Sequence, residues 1–206
     1  IDLTTGLGLQ GYRAVLLAHP HKPVPAGVRE QLEGAGARLQ TFPPGRTDFG
    51  RTPLRLGAAL RALRPDVLIE YSADALPFLN WGRKSVGNPR LIFANRNFCV
   101  PSGPLGSLVA RALQRVDAIA CVSAAVASYW TLAAPYLDQS RLWVTYNGVR
   151  VPPAEAYPTP AAARAALGLP AEARILGTVG RMVRGKGQEF LIRALPDIVA
   201  GVPEAL

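Results

Sequence analysis

Residues 91–123 read LIFANRNFCVPSGPLGSLVARALQRVDAIACVS. Leu91 to Ala94 and Ala118 to Val122 are short apolar blocks; between them Leu105, Leu108, Val109, Ala112, Leu113 and Val116 recur at the three- and four-residue spacing of one helix face. A strand that is apolar at successive positions has both faces covered, and strands of that kind joined by helices build parallel sheets. The pattern extends in both directions. Ala14 to Ala18, Asp66 to Tyr71 and Leu142 to Tyr146 repeat the strand signal, and Leu56, Leu60 and Leu63 repeat the helical one. Ser123 stands where an N-cap would open a helix carrying Val126 and Trp130, and Ile1 to Gly11 reads as the tail of a helix closed by glycine. The expected class is α/β, a parallel sheet with helices on both faces.

The chain has 206 residues, 49% hydrophobic and 18% charged, enough for one to two domains and too apolar for a disordered chain. Its longest apolar tract, Leu105 to Ala134, is broken by Arg111, Arg115 and Asp117, so a transmembrane helix is not expected. Cys99 and Cys121 make neither a disulfide framework nor a cysteine-based zinc site, and a reducing compartment fits them. The net charge is +9, and up to Arg150 there are 17 basic against 9 acidic residues. That surplus suits phosphates, nucleotides or an acidic membrane surface, although Arg-, Ala- and Pro-rich composition is also what a GC-biased genome writes. Arg51, Arg55, Arg61 and Arg64 share no helical stripe with aromatics, so nucleic acid is not expected as a partner.

Composition shifts after Arg150. Val151 to Pro160 holds prolines at 152, 153, 158 and 160, the mark of a linker. Two domains are therefore expected, residues 1–150 and the beginning of a second over 151–206. In the second, Thr159-Pro160 opens a helix that Leu167-Gly168 closes, Arg174 to Val179 reads as a strand, and Gly187 to Val199 as a helix that Pro196 should kink or end early.

The densest chemical signal is Gly177-Thr178-Val179-Gly180-Arg181-Met182-Val183-Arg184-Gly185-Lys186-Gly187, between that strand and that helix. Glycines let a backbone approach a phosphate, a helix start offers unused N–H groups, and Arg181 and Lys186 add full charges. Gly180, Gly185 and Lys186 also satisfy the Walker A spacing, but Gly187 has no hydroxyl to hold magnesium, which removes that reading. A glycine-containing basic surface loop is the alternative.

Val179-Gly180-Arg181 with Lys186-Gly187 closely resembles the V-G-R-x-x-x-x-K-G donor-phosphate motif of family 4 glycosyltransferases. Arg64-Pro65-Asp66-Val67-Leu68, Val116-Asp117-Ala118-Ile119 with Cys121-Val122-Ser123, Tyr146-Asn147-Gly148-Val149 and the helix beginning near Ala163 resemble further blocks of that family, in the same order. The resemblance implies a GT-B fold of two Rossmann-like, doubly wound domains, the acceptor on the N-terminal side and a nucleotide-diphosphate sugar on the C-terminal side. It implies retaining transfer with no bound metal or other cofactor, to a cell-surface glycan or lipid-linked acceptor in polysaccharide or lipopolysaccharide synthesis. The protein would be cytoplasmic, with peripheral contact to the inner face of an anionic membrane. Arg181 and Lys186 would stabilise the departing phosphate, Gly180 would let it approach, and Asn147 and Gly148 would shape the hinge side of the donor site.

Some positions depart from the family pattern. Ile69, Glu70, Tyr71 and Ser72 replace an H-x-H-S block, and Asn95-Arg96-Asn97 replaces T-R-H, so that Asn97 takes the position of an expected catalytic histidine. The Gly-rich loop after the first strand and the paired glutamates of the donor side are missing, as expected of a chain truncated at both ends. Glu70 and Asp74 follow a parallel strand, where they would meet an acceptor hydroxyl or serve as solvated or capping carboxylates. His19 and His21 read as loop residues and both cysteines as spectators. Two other functions remain open: a non-catalytic nucleotide-sugar or phosphate-binding module, and another GT-B enzyme such as a sugar-nucleotide epimerase.

Overall fold

Apolar runs of four to six residues without alternation call for cover on both faces, and the expected two-sided cover is only partly realised: Leu91, Phe93, Ile119 and Cys121 are buried, whereas Val67, Ile69, Trp143 and Val144 stay exposed. The computed structural model describes residues 2–18, 24–41, 51–96, 103–149 and 151–205. The chain falls into two units, Ile1–Asn147 and Gly148–Leu206. In the first, α1 (Asp2–Leu9) is followed by β1 (Val15–Ala18), α2 (Val28–Gly34), β2 (Arg38–Thr41), α3 (Arg51–Leu63), β3 (Val67–Glu70), α4 (Leu76–Gly82), β4 (Arg90–Asn95), α5 (Gly103–Leu113), β5 (Ala118–Cys121), α6 (Ala124–Ala133) and β6 (Leu142–Val144). The second contains α7 (Pro160–Ala166) and α8 (Gln188–Gly201). His19, His21, Asn97 and Cys99 lie outside the described residues.

All strand pairs are parallel. Among the described residues β1 pairs with β2 as one ladder, and β3-β4-β5-β6 form another in sequential order. Leu91 and Phe93 of β4 and Ile119 and Cys121 of β5 are buried together with Val109, Leu113 and Val116, while Trp130 of α6 meets Phe93 edge-to-face at 6.2 Å. The Ser123 hydroxyl accepts from the Val126 N–H at 3.2 Å, so the expected cap opens α6. Cys121 is buried and its thiol is pushed up by that burial, which agrees with a spectator.

Asp117 ties the sheet at its amino edge. One carboxylate oxygen accepts from the Leu91 N–H at 2.8 Å and from Arg83 Nη1 at 2.6 Å, while Arg83 also donates to the Pro89 carbonyl at 3.0 Å. Burial raises the Asp117 carboxyl, but the Leu91 N–H and the Arg83 guanidinium outweigh it and hold the group below its ordinary range.

One expectation in the second unit is corrected and another is narrowed. Arg174 to Val179 is not a strand: among the described residues only Arg174 of this stretch has a ladder partner, its N–H donating to the Glu204 carbonyl at 3.0 Å in an isolated bridge to Ala205. A strand exists only where a neighbour takes its ladder hydrogen bonds. Of the kink or early end expected at Pro196, the early end does not occur, because α8 continues to Gly201. One missing N–H in a 14-residue helix leaves the other turns bonded. β2, α2 and α4 carry no sequence signal of their own, because each is four to seven residues long, too short for a periodic pattern.

The α1 packing makes one position sensitive. A Cβ on Gly8 would stand 2.3 Å from the Ala35 carbonyl oxygen and 3.0 Å from the Ala37 nitrogen. Gly8→Ala is expected to destabilise the protein by ~1–3 kcal/mol, the range for overpacking against groups that cannot retreat. Urea unfolding will check it; an unchanged midpoint would mean that α1 does not hold that position.

Candidate functional site

Parallel strands end on one edge, so the residues that follow β3, β4 and β6 collect at the carboxyl edge of the sheet. Glu70 ends β3, and one of its oxygens accepts from the Tyr71 N–H at 2.9 Å and the Ser72 N–H at 2.6 Å. Burial raises the carboxyl of this half-buried residue, and those two hydrogen bonds only partly offset the rise. Next to it Arg96, directly after β4, lies over the Tyr71 ring with its guanidinium carbon 5.3 Å from the centroid. Arg96 Nη2 also donates to Asn147 Oδ1 at 3.3 Å. A planar cation stacked on one side and hydrogen-bonded at one end keeps its remaining donors in a defined direction.

That contact gives Asn147 a partner that the sequence did not reveal. Arg96 and Asn147 are 51 residues apart and meet because β4 and β6 end on the same edge. In the sequence Tyr71 stands only where the family pattern has a histidine. Its place beside Arg96 follows from the pairing of β3 with β4, with no local signature.

In the second unit the Gly180–Gly187 loop folds back on itself ahead of α8. The Arg181 carbonyl accepts from the Val183 N–H at 2.8 Å and from Gln188 Nε2 at 3.1 Å, and the Lys186 N–H donates to the Val183 carbonyl at 2.9 Å. Gly187 has φ 75° and opens α8 with no side-chain cap on the helix start. A positive φ is the conformation that glycine adopts without strain, so the turn and the residue type belong together. At Gly180 a Cβ would lie 3.3 Å from the Gln188 amide, crowding the group that pins the loop. Arg181 and Lys186 are both exposed, whereas Gln188 is buried. Gln188 is the site residue that sequence reasoning missed; a polar residue at the first position of an otherwise amphipathic helix was its only trace.

The sequence-predicted residues thus stand in two groups. Asn147 closes the first unit, and Gly148, Gly180, Arg181 and Lys186 belong to the second. Among the described residues no three His, Cys, Asp or Glu side chains come together as metal ligands, and no helix is long and apolar enough to cross a membrane.

A parallel α/β unit with polar residues at its carboxyl edge belongs to the class of open α/β proteins, in which ligands collect at that edge. The chain belongs to glycosyltransferase family 4, whose model matches residues 1–151. In three dimensions it is similar to Anabaena HepE, crystallised in complex with UDP and glucose, with a TM-score of 0.64 and 16% sequence identity. At that identity the likeness establishes the fold, the α/β arrangement of GT-B type. The match covers 94% of this chain and 60% of the HepE chain, so the present chain spans about three fifths of that chain's length. No curated protein matches the chain.

Proposed function

We propose that the protein transfers a sugar, with retention of configuration, from a nucleotide-diphosphate sugar to a cell-surface glycan or lipid-linked acceptor. Residues 1–150 would hold the acceptor and residues from 151 onward the donor. The observation that carries this reading is the uncapped start of α8 behind a glycine-rich turn, with Arg181 and Lys186 exposed beside it. As the bond to the anomeric carbon breaks, negative charge grows on the leaving diphosphate. Fixed cations and helix-start N–H groups lower the barrier by meeting that charge where it develops. That HepE was crystallised with UDP and glucose supports a donor of the same class.

On the acceptor side, Glu70 and Arg96 are the polar groups that would meet an incoming sugar, with Tyr71 and Asn147 as positioning residues for Arg96. Asn97 in this reading contributes hydrogen bonds to sugar or acceptor. An amide is not a base near neutral pH, so the leaving phosphate would take the acceptor proton. A cytoplasmic protein resting on the inner membrane face, serving lipopolysaccharide or other polysaccharide synthesis, is consistent with the basic first unit.

The test is a titration of the intact protein with UDP, GDP, ADP and inorganic pyrophosphate, followed by turnover with the matching α-linked nucleotide sugars. One nucleoside diphosphate should bind better than pyrophosphate alone, and its sugar should appear in an α-linked product. A β-linked product would overturn retention, and failure of every nucleotide to bind would overturn the donor site.

A further inference from the structure

A polar cavity lies at the amino edge of the first unit, opposite the edge that carries Glu70 and Arg96. Its volume is about 480 Å³, and its lining includes Asn80, Arg83, Lys84, Arg115, Asp117 and Arg141. β4 runs from Arg90 to Asn95, so a strand length of roughly 20 Å separates the two edges. α4 and α5 each hand over within a few residues to the strand that follows, which brings their last turns here.

Much of the polar lining serves the carbonyl groups at the end of α5. Asn80 Nδ2 donates to the Ala112 carbonyl at 2.9 Å, Arg83 Nη2 to the Arg115 carbonyl, and Arg141 Nη1 to the Val116 carbonyl at 3.0 Å. These donors satisfy a helix end that would otherwise repel an anion. Two buried polar atoms are left over. Asn80 is 5% exposed and Arg83 7%, yet Asn80 Oδ1 and Arg83 Nε have no hydrogen-bond partner among the described residues. An unpaired buried acceptor and an unpaired buried donor in the wall of one cavity suit a ligand that brings both a hydroxyl and an oxyanion.

Charge narrows the class of ligand. Asp117 is held by Arg83 at 2.6 Å and Asp138 by Arg141 at 3.2 Å, and Asp66, whose carbonyl takes the Arg90 N–H at the same edge, is matched by the charge of Arg90. Lys84 and Arg115 remain, both exposed and neither in an ion pair among the described residues. Two spare cations suit a phosphate dianion. The volume falls within the ~300–1,000 Å³ of sites for small organic ligands, more space than a lone phosphate fills, and the exposed amides of Asn88 and Gln114 add partners for hydroxyls.

We infer that the cavity at the ends of α4 and α5 binds a phosphate monoester of a small polyhydroxylated molecule, its phosphate on Lys84 and Arg115 and its hydroxyls toward Asn80. This site does not rest on the donor or acceptor reading above, because its residues all belong to the first unit and stand at the amino edge.

The experiment is calorimetric titration of the chain with glucose 6-phosphate, ribose 5-phosphate, glucose and inorganic phosphate. At least one of the two esters should bind one to one, inorganic phosphate about tenfold more weakly for want of hydroxyl contacts, and glucose not measurably. Lys84→Gln combined with Arg115→Gln should weaken the ester at least about tenfold, through the loss of two charge-assisted contacts. Arg38→Gln combined with Arg61→Gln removes the same charge from exposed positions outside the cavity and should leave the ester's affinity unchanged. Lys186→Ala, which alters only the donor loop, should leave it unchanged as well. Each variant is checked for an unchanged circular dichroism spectrum. If neither ester binds, ordered water fills the cavity and the assignment falls. It falls equally if inorganic phosphate binds as tightly as the ester, if the Arg38 and Arg61 pair weakens binding as much as the cavity pair, or if Lys186→Ala abolishes it, which would move the phosphate to the loop ahead of α8.

Discussion

Lys186→Ala in the intact protein is expected to lower kcat of the proposed transfer by about 30- to 1000-fold, the equivalent of ~2–4 kcal/mol for one preorganised charge partner. Lys186 is exposed on the turn Arg184–Lys186, its N–H held by the Val183 carbonyl. The loss should therefore fall on turnover and on nucleoside diphosphate affinity, with KM for a neutral acceptor and the melting midpoint nearly unchanged. Arg181→Ala should act in the same direction, and the double variant should lose less than the product of the two because both cations serve one diphosphate. Near-normal kcat in Lys186→Ala would remove this loop from the active site.

The second large effect is structural. Asp117→Ala should destabilise the first unit by ~2–4 kcal/mol, because it leaves the Arg83 guanidinium, 8% exposed, without its carboxylate and the Leu91 N–H without its acceptor. The figure sits below the ~3–5 kcal/mol of a fully buried pair because the Asp117 side chain keeps 36% of its exposure. Asp117→Asn preserves an acceptor for Leu91 and should cost less. The folded-state carboxyl is held below its ordinary value, so this contribution is complete above the unfolded value of ~3.9 and is lost as pH falls through the lower folded value. Denaturant unfolding from pH 6 down to pH 2.5 will read it: the gap between wild type and Asp117→Ala should narrow toward acid. A constant gap would show that the charge of Asp117 plays no part.

Asp117 and Asn147 illustrate how differently two residues of family-like blocks can be used. Both were legible as members of short sequence blocks. The tertiary structure gives the first to the amino edge of the sheet as an anchor, and the second to the carboxyl edge as a partner for Arg96.

Local chemistry alone determined the strands β1, β3, β4, β5 and β6 and the long helices, because unbroken apolar blocks and three-four spacing have few other solutions in water. It also determined the Ser123 cap and the glycine turn ahead of α8, since a hydroxyl three residues before an open N–H and a positive φ are local demands. What needed the fold was every relation across distance. Whether Arg174 to Val179 becomes a strand depends on a neighbour that takes its hydrogen bonds, and among the described residues only Arg174 has one. Arg96 meets Tyr71 and Asn147 because three parallel strands end on one edge, and Leu54 and Trp81 line one cavity because α3 and α4 are neighbours. Periodicity records which face of an element is apolar; which elements then become neighbours is decided by burying those faces together, a property of the whole chain that no short stretch contains.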